Sequence, residues 1–352
     1  MSYNRRLPVY LLLDCSESMA GEAFESLSMG LNSMIAELRQ NPMALETAAI
    51  SVITFASKAQ QIVPLTDLIV FRPPTLRLGS GTALGAALDL LEQRMAQEIV
   101  KSFQDQKGDY KPIIFIMTDG DPTDTWERSA DRFHANISGK RANVIAIAVG
   151  PDADTRKLQR ITETVLVMRG TEPESFKRFF KWISASVSIS SQKLETTGGK
   201  GIDIPPLPPE SVTMMRPNDP HEIHEPDRLI FLHSRCIKSK TFYLIRYAKR
   251  LEESQGIGFV KSRIPIYEAV AAHSVTDFDF EGSITSMPKI AADQLLGAIP
   301  CPGCGNTYWA MCPNGHVHCC PPIERDVVLT CPWCNSKAHY APGTFDVNRG
   351  RG

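Results

Sequence analysis

The sequence is short of three things. It has no excess charge of either sign: 38 Lys and Arg stand against 39 Asp and Glu, for a formal net charge of -1. A chain that grips nucleic acid or an anionic membrane through its overall charge carries a basic surplus, so this balance offers no such electrostatic footprint. It has no long apolar run, and no stretch approaches the roughly 20 residues that a membrane-spanning helix needs. "RRLPVYLLLD" near the start is only faintly leader-like: its apolar run is short, ends on Asp14 and has no small-residue cleavage site. A first buried strand fits better, and the expected location is the cytoplasm. Finally, the first 300 residues hold only Cys15 and Cys236, whereas seven of the nine cysteines lie between Cys301 and Cys334. In a reducing compartment, cysteines so clustered point to metal rather than to disulfides.

What is present divides the chain. At roughly 100–200 residues per domain, a chain of 352 residues with 43% apolar content allows two or three domains. Residues 5–190 alternate short apolar runs rich in β-branched residues ("VYLLL", "AAISVITFA", "KPIIFIMT", "NVIAIAVG") with helical patterns. In one of these, Leu84, Leu88, Leu91, Met95 and Ile99 share a face. Strand–helix alternation with near-continuous apolar strands reads as α/β, a doubly wound, mostly parallel sheet covered on both faces. Residues 191–225, dense in Gly and Pro, read as a linker. Residues 226–345 read as a β-rich domain that includes a zinc-ribbon-like module at 300–340. Within it, "SMPKIAADQLLGAIP" is expected to form a short helix.

Asp14 ends the first apolar run, and Ser16 and Ser18 follow it at alternate positions. Asp119 ends another buried run, "KPIIFIMTD", and Thr82 sits in the Gly-flanked loop "LGSGTALG". In open parallel sheets, ligands bind beyond the carboxyl ends of the strands, and all five groups are placed there. An oxygen-only set with two carboxylates suits a hard cation, Mg²⁺ or Mn²⁺. Such a cation with an open position favours a carboxylate from another molecule, so the site binds and does not catalyse. An aspartyl-nucleophile phosphatase would want a second Asp two residues after Asp14, where Ser16 stands. Asp121 and Pro122 read as the N-cap and first residue of a helix.

The segments "DCSES", "SGT" and "TDG" resemble, in order, the metal-ion-dependent adhesion site of the von Willebrand factor A family. The resemblance covers about residues 5–190. It implies that Asp14, Ser16, Ser18, Thr82 and Asp119 surround the cation and that a partner's acidic side chain completes its coordination. The family usually has Gly between the two serines, where this chain has Glu17.

The tail holds two C-x-x-C pairs, Cys301/Cys304 and Cys331/Cys334, which together could supply a closed tetrahedral Cys₄ zinc site. Between them lie Cys312, His316, His318, Cys319 and Cys320. Cys312, His316 and Cys319 are the candidate set for a second zinc. Cys236, alone in a strand, reads as core packing. The motifs C-P-x-C-G, W-A-x-C and C-P-W-C resemble the C-terminal metal-binding domain of TerY-type proteins, which are associated with tellurite resistance. That resemblance implies a non-enzymatic scaffold working with a protein kinase and a PP2C-type phosphatase in a bacterial stress response. The alternative is a nucleic-acid-associated subunit of a transcription or repair assembly, which the charge balance disfavours.

Overall fold

The strand Leu7–Asp14 (β1) is buried along its whole length. Its neighbours in the chain are Ala48–Phe55 (β2), Ala59–Asp67 (β3), Leu78–Gly79 (β4), Ile113–Thr118 (β5), Asn143–Val149 (β6), Val165–Met168 (β7) and Val212–Met214 (β8). The computed structural model describes residues 5–103, 107–119, 121–150, 153–197, 212–214, 228–250, 265–280, 288–322, 327–343 and 345–350. It divides into two compact units, Met1–Arg77 with Thr82–His224, and Leu78–Gly81 with Glu225–Gly352.

The first unit is a seven-stranded sheet in the order β3-β2-β1-β5-β6-β7-β8. Its five central strands are parallel. The edge strands β3 and β8 run antiparallel to their neighbours. The helices are Glu22–Leu38 (α1), Pro42–Thr47 (α2), Leu84–Glu98 (α3), Glu127–Asn136 (α4), Thr155–Gln159 (α5) and Pro173–Thr197 (α6). Alternation along the strands sends side chains to both faces. Tyr10, Leu12, Ile114 and Ile116 belong to a core with Leu84, Leu88, Leu91 and Met95 of α3 and with Phe133 of α4. On the strands of opposite parity, Phe115 meets Trp182 of α6 edge-on at 6.3 Å between ring centroids. Helix α6 crosses α1 where Gly30 leaves room: a Cβ there would lie 2.1 Å from a Phe180 ring carbon. Both faces are covered, which is why the strands read as continuous apolar runs. The doubly wound, mostly parallel sheet matches the expectation from sequence.

The chain leaves β1 toward β2 on one side, and β5 lies on the other, so the strand order reverses between β1 and β5. Asp14 ends one of these strands and Asp119 follows the other. The stretch expected as a linker begins inside α6, which runs to Thr197, and it contains β8, paired with β7. The rest of residues 191–225 lies outside the described residues. Asp121 and Pro122 do not start a helix: α4 begins at Glu127, and Asp121 pairs with Lys157. The acid that serves a helix N-terminus is Asp124, which accepts from the backbone N–H groups of Gly85 and Ala86 in α3 at 3.2 and 3.0 Å.

The second unit is β-rich. Its strands are Leu229–Arg235 (β9), Phe242–Lys249 (β10), Tyr267–Ser274 (β11), Phe278–Asp279 (β12), Lys289–Ala291 (β13), Leu295–Leu296 (β14), Tyr308–Met311 (β15), Val317–Cys320 (β16), Val327–Thr330 (β17), Lys337–Tyr340 (β18) and Asp346–Asn348 (β19). Six of them form a sheet in the order β14-β11-β10-β9-β16-β15. One of its clusters gathers Ile230, Leu232, Tyr243, Ile245 and Tyr247 with Cys236, Cys301 and Cys319. The short helix expected within "SMPKIAADQLLGAIP" is instead β13, one 3₁₀ turn at Ala292–Gln294, and β14. β13 pairs with β19, so long-range strand pairing overrides the local helical pattern.

Candidate metal centres

At the carboxyl end of β1, Asp14 is fully buried and its Oδ1 accepts from the Ser16 backbone N–H at 2.9 Å. The Thr118 hydroxyl donates to Asp14 Oδ2. Ser16 Oγ and Ser18 Oγ lie 2.9 Å apart, and Ser18 Oγ donates to Asp119 Oδ1 at 2.9 Å. Four of the five expected residues are thus joined by one chain of hydrogen bonds. Thr82 is held at the same edge through its backbone. Its N–H donates to Thr123 Oγ1 at 2.8 Å and its carbonyl accepts from Thr123 N–H at 2.9 Å, while the next residue, Ala83, donates to Ala56 just beyond β2. The Thr82 hydroxyl is buried with no hydrogen-bond partner among the described residues.

A buried hydroxyl without a partner, at a sheet edge that also carries two carboxylates, is costly unless something positive fills the space. Burial, with the negative charge of Asp119 as the next cause, pushes the Asp14 carboxyl up to about 7. A divalent cation removes that repulsion and gives the hydroxyls a partner, so the donor set fits Mg²⁺ or Mn²⁺. Glu17 is fully buried at the start of a 3₁₀ turn, Glu17–Met19.

The cysteines form two groups, each with its four donor atoms within 4.8 Å of one another. The first is Cys236, Cys301, Cys304 and Cys319; the second is Cys312, His316, Cys331 and Cys334. The expected partition is therefore corrected. Cys301/Cys304 and Cys331/Cys334 do not share a site, and Cys319 does not join Cys312 and His316. The physical reason is the β15–β16 hairpin. Its turn carries Cys312 and His316 beside one C-x-x-C pair, while Cys319 lies along β16 and reaches the other. His318 and Cys320 belong to neither group. His318 is buried against the Tyr340 hydroxyl at 3.0 Å.

Four tight turns, three of them of one type, present these donors. Cys236, Cys301 and Cys331 each donate their N–H to the carbonyl five residues on, at Thr241, Asn306 and Ser336. Cys312 does so four residues on, to His316. A residue with positive φ closes each turn: Lys240 (62°), Gly305 (78°), Gly315 (82°) and Asn335 (58°). The turn shape also aims N–H groups at sulfur, from Ser239 to Cys236 and from Trp333 to Cys331, both at 3.4 Å. Ile237 N–H donates to Cys319 at 3.2 Å.

Cys236 is the donor that sequence reading passed over. Its turn, "CIKSKT", has Ser239 where the other C-x-x-C turns have their second cysteine, so the motif is hidden. The signal that could have found it is a lone cysteine at the end of one strand-like run and six residues ahead of the next, Phe242–Lys249.

In a tetrahedral zinc thiolate site with Zn–S of about 2.3 Å, neighbouring sulfurs lie about 3.8 Å apart. Cys304–Cys319 at 3.5 Å and Cys312–Cys334 at 3.9 Å bracket that spacing. Burial drives the Cys236 thiol up, but hydrogen bonds led by Ser239 bring it down to about 6. Hydrogen bonds from the Ser336 side chain and backbone, then from Asn314, hold Cys334 down at about 5. Burial pushes Cys331 up to about 11. Sulfurs packed this closely cannot all ionise without a cation among them, so both sets fit Zn²⁺.

The profile of the von Willebrand factor type A domain matches residues 9–181, and that of the TerY-C metal binding domain matches residues 227–352. No curated protein matches the chain. Among solved structures, proximal thread matrix protein 1 from the mussel byssus is 16% identical, covering 53% of this chain and 49% of its own, with a TM-score of 0.39. A von Willebrand factor type A protein from Catenulispora acidiphila is 16% identical over 53% of this chain and 43% of its own, with a TM-score of 0.38. BatB from Bacteroides thetaiotaomicron is 18% identical over 51% of this chain and 98% of its own, with a TM-score of 0.34. The chain spans about half the length of the first two. Among the described residues, no helix is long and apolar enough to cross a membrane.

Proposed function

The chain is a von Willebrand factor type A domain followed by a TerY-C metal binding domain, and on that premise we propose that it is a non-enzymatic scaffold. Its first unit captures an acidic side chain of a protein partner through Mg²⁺ or Mn²⁺. The observation that carries the reading is the buried Thr82 hydroxyl, unpartnered among the described residues at the sheet edge that also holds Asp14 and Asp119. When bound, the cation supplies an open coordination position for a carboxylate. Asp14 and Asp119 hold it and balance its charge, Ser16, Ser18 and Thr82 supply neutral oxygens, and Thr123 fixes the Thr82 loop. Cys236, Cys301, Cys304 and Cys319 hold one zinc, and Cys312, His316, Cys331 and Cys334 a second. Both sets are closed by four protein donors, so these ions are structural. The partners we expect are a protein kinase and a PP2C-type phosphatase in a bacterial stress-response system, with the protein in the cytoplasm.

The test is capture of partners from native extract by wild type and by Asp14→Ala, each with Mg²⁺ present. A kinase or phosphatase retained by wild type and lost with Asp14→Ala supports the reading. Chelation alone would not serve, because it also strips zinc. A partner set unchanged by Asp14→Ala refutes the adhesion role. Salt-sensitive retention of DNA or RNA would favour a nucleic-acid-associated subunit instead.

A further inference from the structure

The two sulfur centres differ in how they meet solvent. Of the nine cysteines, only Cys334 is exposed, whereas Cys236, Cys301 and Cys319 of the other centre are buried and Cys304 is half-buried. Cys334 also sits under two side-chain donors, Asn314 Nδ2 at 3.4 Å and Ser336 Oγ at 3.0 Å. These hold the sulfur in place beside Cys312, whose Sγ is 3.9 Å away across the centre. Cys331, in the same turn as Cys334, is fully buried, with the Trp333 N–H on its sulfur. One centre therefore presents a sulfur to a small oxidant with a second sulfur beside it, and the other does not.

We propose that Cys334 is a hydroperoxide-reactive site, and that its oxidation to a Cys312–Cys334 disulfide opens the second centre while the Cys236 centre stays closed. The Cys334 thiolate attacks the outer peroxide oxygen, the O–O bond breaks, and the leaving alkoxide or hydroxide takes a proton. Cys334 becomes a sulfenic acid. The Cys312 thiolate then attacks the Cys334 sulfur, the S–O bond breaks, and hydroxide leaves as water after protonation. Two thiolates have lost two electrons and the peroxide has gained them. His316 and Cys331 remain, too few donors to close a tetrahedral zinc site. Reactivity follows access, and Cys334 is the sulfur that has it, with Cys312 beside it to resolve the oxidised form.

This inference rests on the reading that the second centre holds zinc, and the experiment separates the two. Zinc content of the full chain is measured first: two per chain supports the metal reading and none refutes it. Hydrogen peroxide or tert-butyl hydroperoxide is then added with a chromogenic zinc chelator, and disulfides are mapped by mass spectrometry. The expected result is release of one zinc at least about tenfold faster than the other, with a Cys312–Cys334 linkage. Cys334→His keeps four donors while removing the oxidisable thiol, and should slow that release about tenfold or more. Release of both ions together, a linkage at Cys301–Cys304 or Cys331–Cys334, or a Cys334→His variant as sensitive as wild type would overturn the proposal. A chain that purifies without zinc fails the metal reading, and the disulfide map then tests the peroxide reactivity of Cys334 by itself: a Cys312–Cys334 linkage supports it, and any other pairing overturns it.

Discussion

In the first unit β1 is buried on both faces by helices, and large side chains such as Phe55, Phe115, Phe133, Phe176 and Phe180 are fully buried. In the second, a cluster of the same kind is finished with sulfur: Cys236, Cys301 and Cys319 stand among Ile230, Leu232 and Tyr247. A further small cluster has Cys312, Cys320 and Cys331 beside Ala310 and Tyr340. The difference teaches what each metal is for. On the proposed reading, the first unit has a core large enough to need no ion, which leaves its cation site for binding. The second unit depends on its ions to close turns that a small core cannot close.

The strongest way to break that contrast is to remove one thiolate. Cys301→Ser should unfold much of the second unit, since structural zinc contributes about 10–16 kcal/mol of apparent binding free energy. The first unit should keep its own cooperative transition. Calorimetry on the full chain reads both; a variant with two unchanged transitions would mean the sulfur centre is not structural. Next, Leu12→Ala, in the core of the first unit, should cost about 2–5 kcal/mol there and leave zinc content unchanged.

Asp14→Asn sharpens the contrast from the functional side. The Asp14 carboxyl is raised above its ordinary value in the fold. The folded state therefore holds a proton that the unfolded chain has released, and stability without Mg²⁺ falls as pH rises from about 4 to about 7. Asp14→Asn should flatten that slope, and it should abolish Mg²⁺ stabilisation seen in a thermal melt. Persistence of the Mg²⁺ effect would place the ion elsewhere. The smallest effect is expected at the surface. Arg132 pairs with Glu92 at 2.8 Å and with Asp89 on an exposed helix face, and Arg132→Ala should cost under about 1 kcal/mol by urea denaturation.

Legibility followed the same divide. Strands buried on both faces announce themselves as β-branched runs, so β1, β2, β5 and β6 could be read directly, and with them the sheet edge on which Asp14 and Asp119 sit. Metal-ligand partition could not be read. Spacing shows that Cys301/Cys304 and Cys331/Cys334 are turns, but which turns face each other depends on the β15–β16 pairing, a long-range register. Cys236 was hidden for a related reason: the turn around it is defined by backbone hydrogen bonds and a left-handed Lys240, not by a second cysteine. The role of Asp124 could not be read for a simpler reason. A carboxylate that serves a helix usually precedes it in sequence, and this one serves α3 from a loop that follows it.

The indole of Trp333 lies between the ligands Cys331 and Cys334 in sequence. It stacks on the ring of His316 at 5.7 Å with an interplanar angle of 13°, donates Nε1–H to Val317 O at 2.7 Å, and has the Arg235 guanidinium 4.3 Å from its centre. A fluorophore is thus built into the second centre, held rigidly against one of its donors. Its emission should answer to whether that imidazole is bare or engaged by a metal ion. Filling and emptying of the centre can then be followed by light, in an unlabelled chain, on the timescale of a stopped-flow mixing experiment.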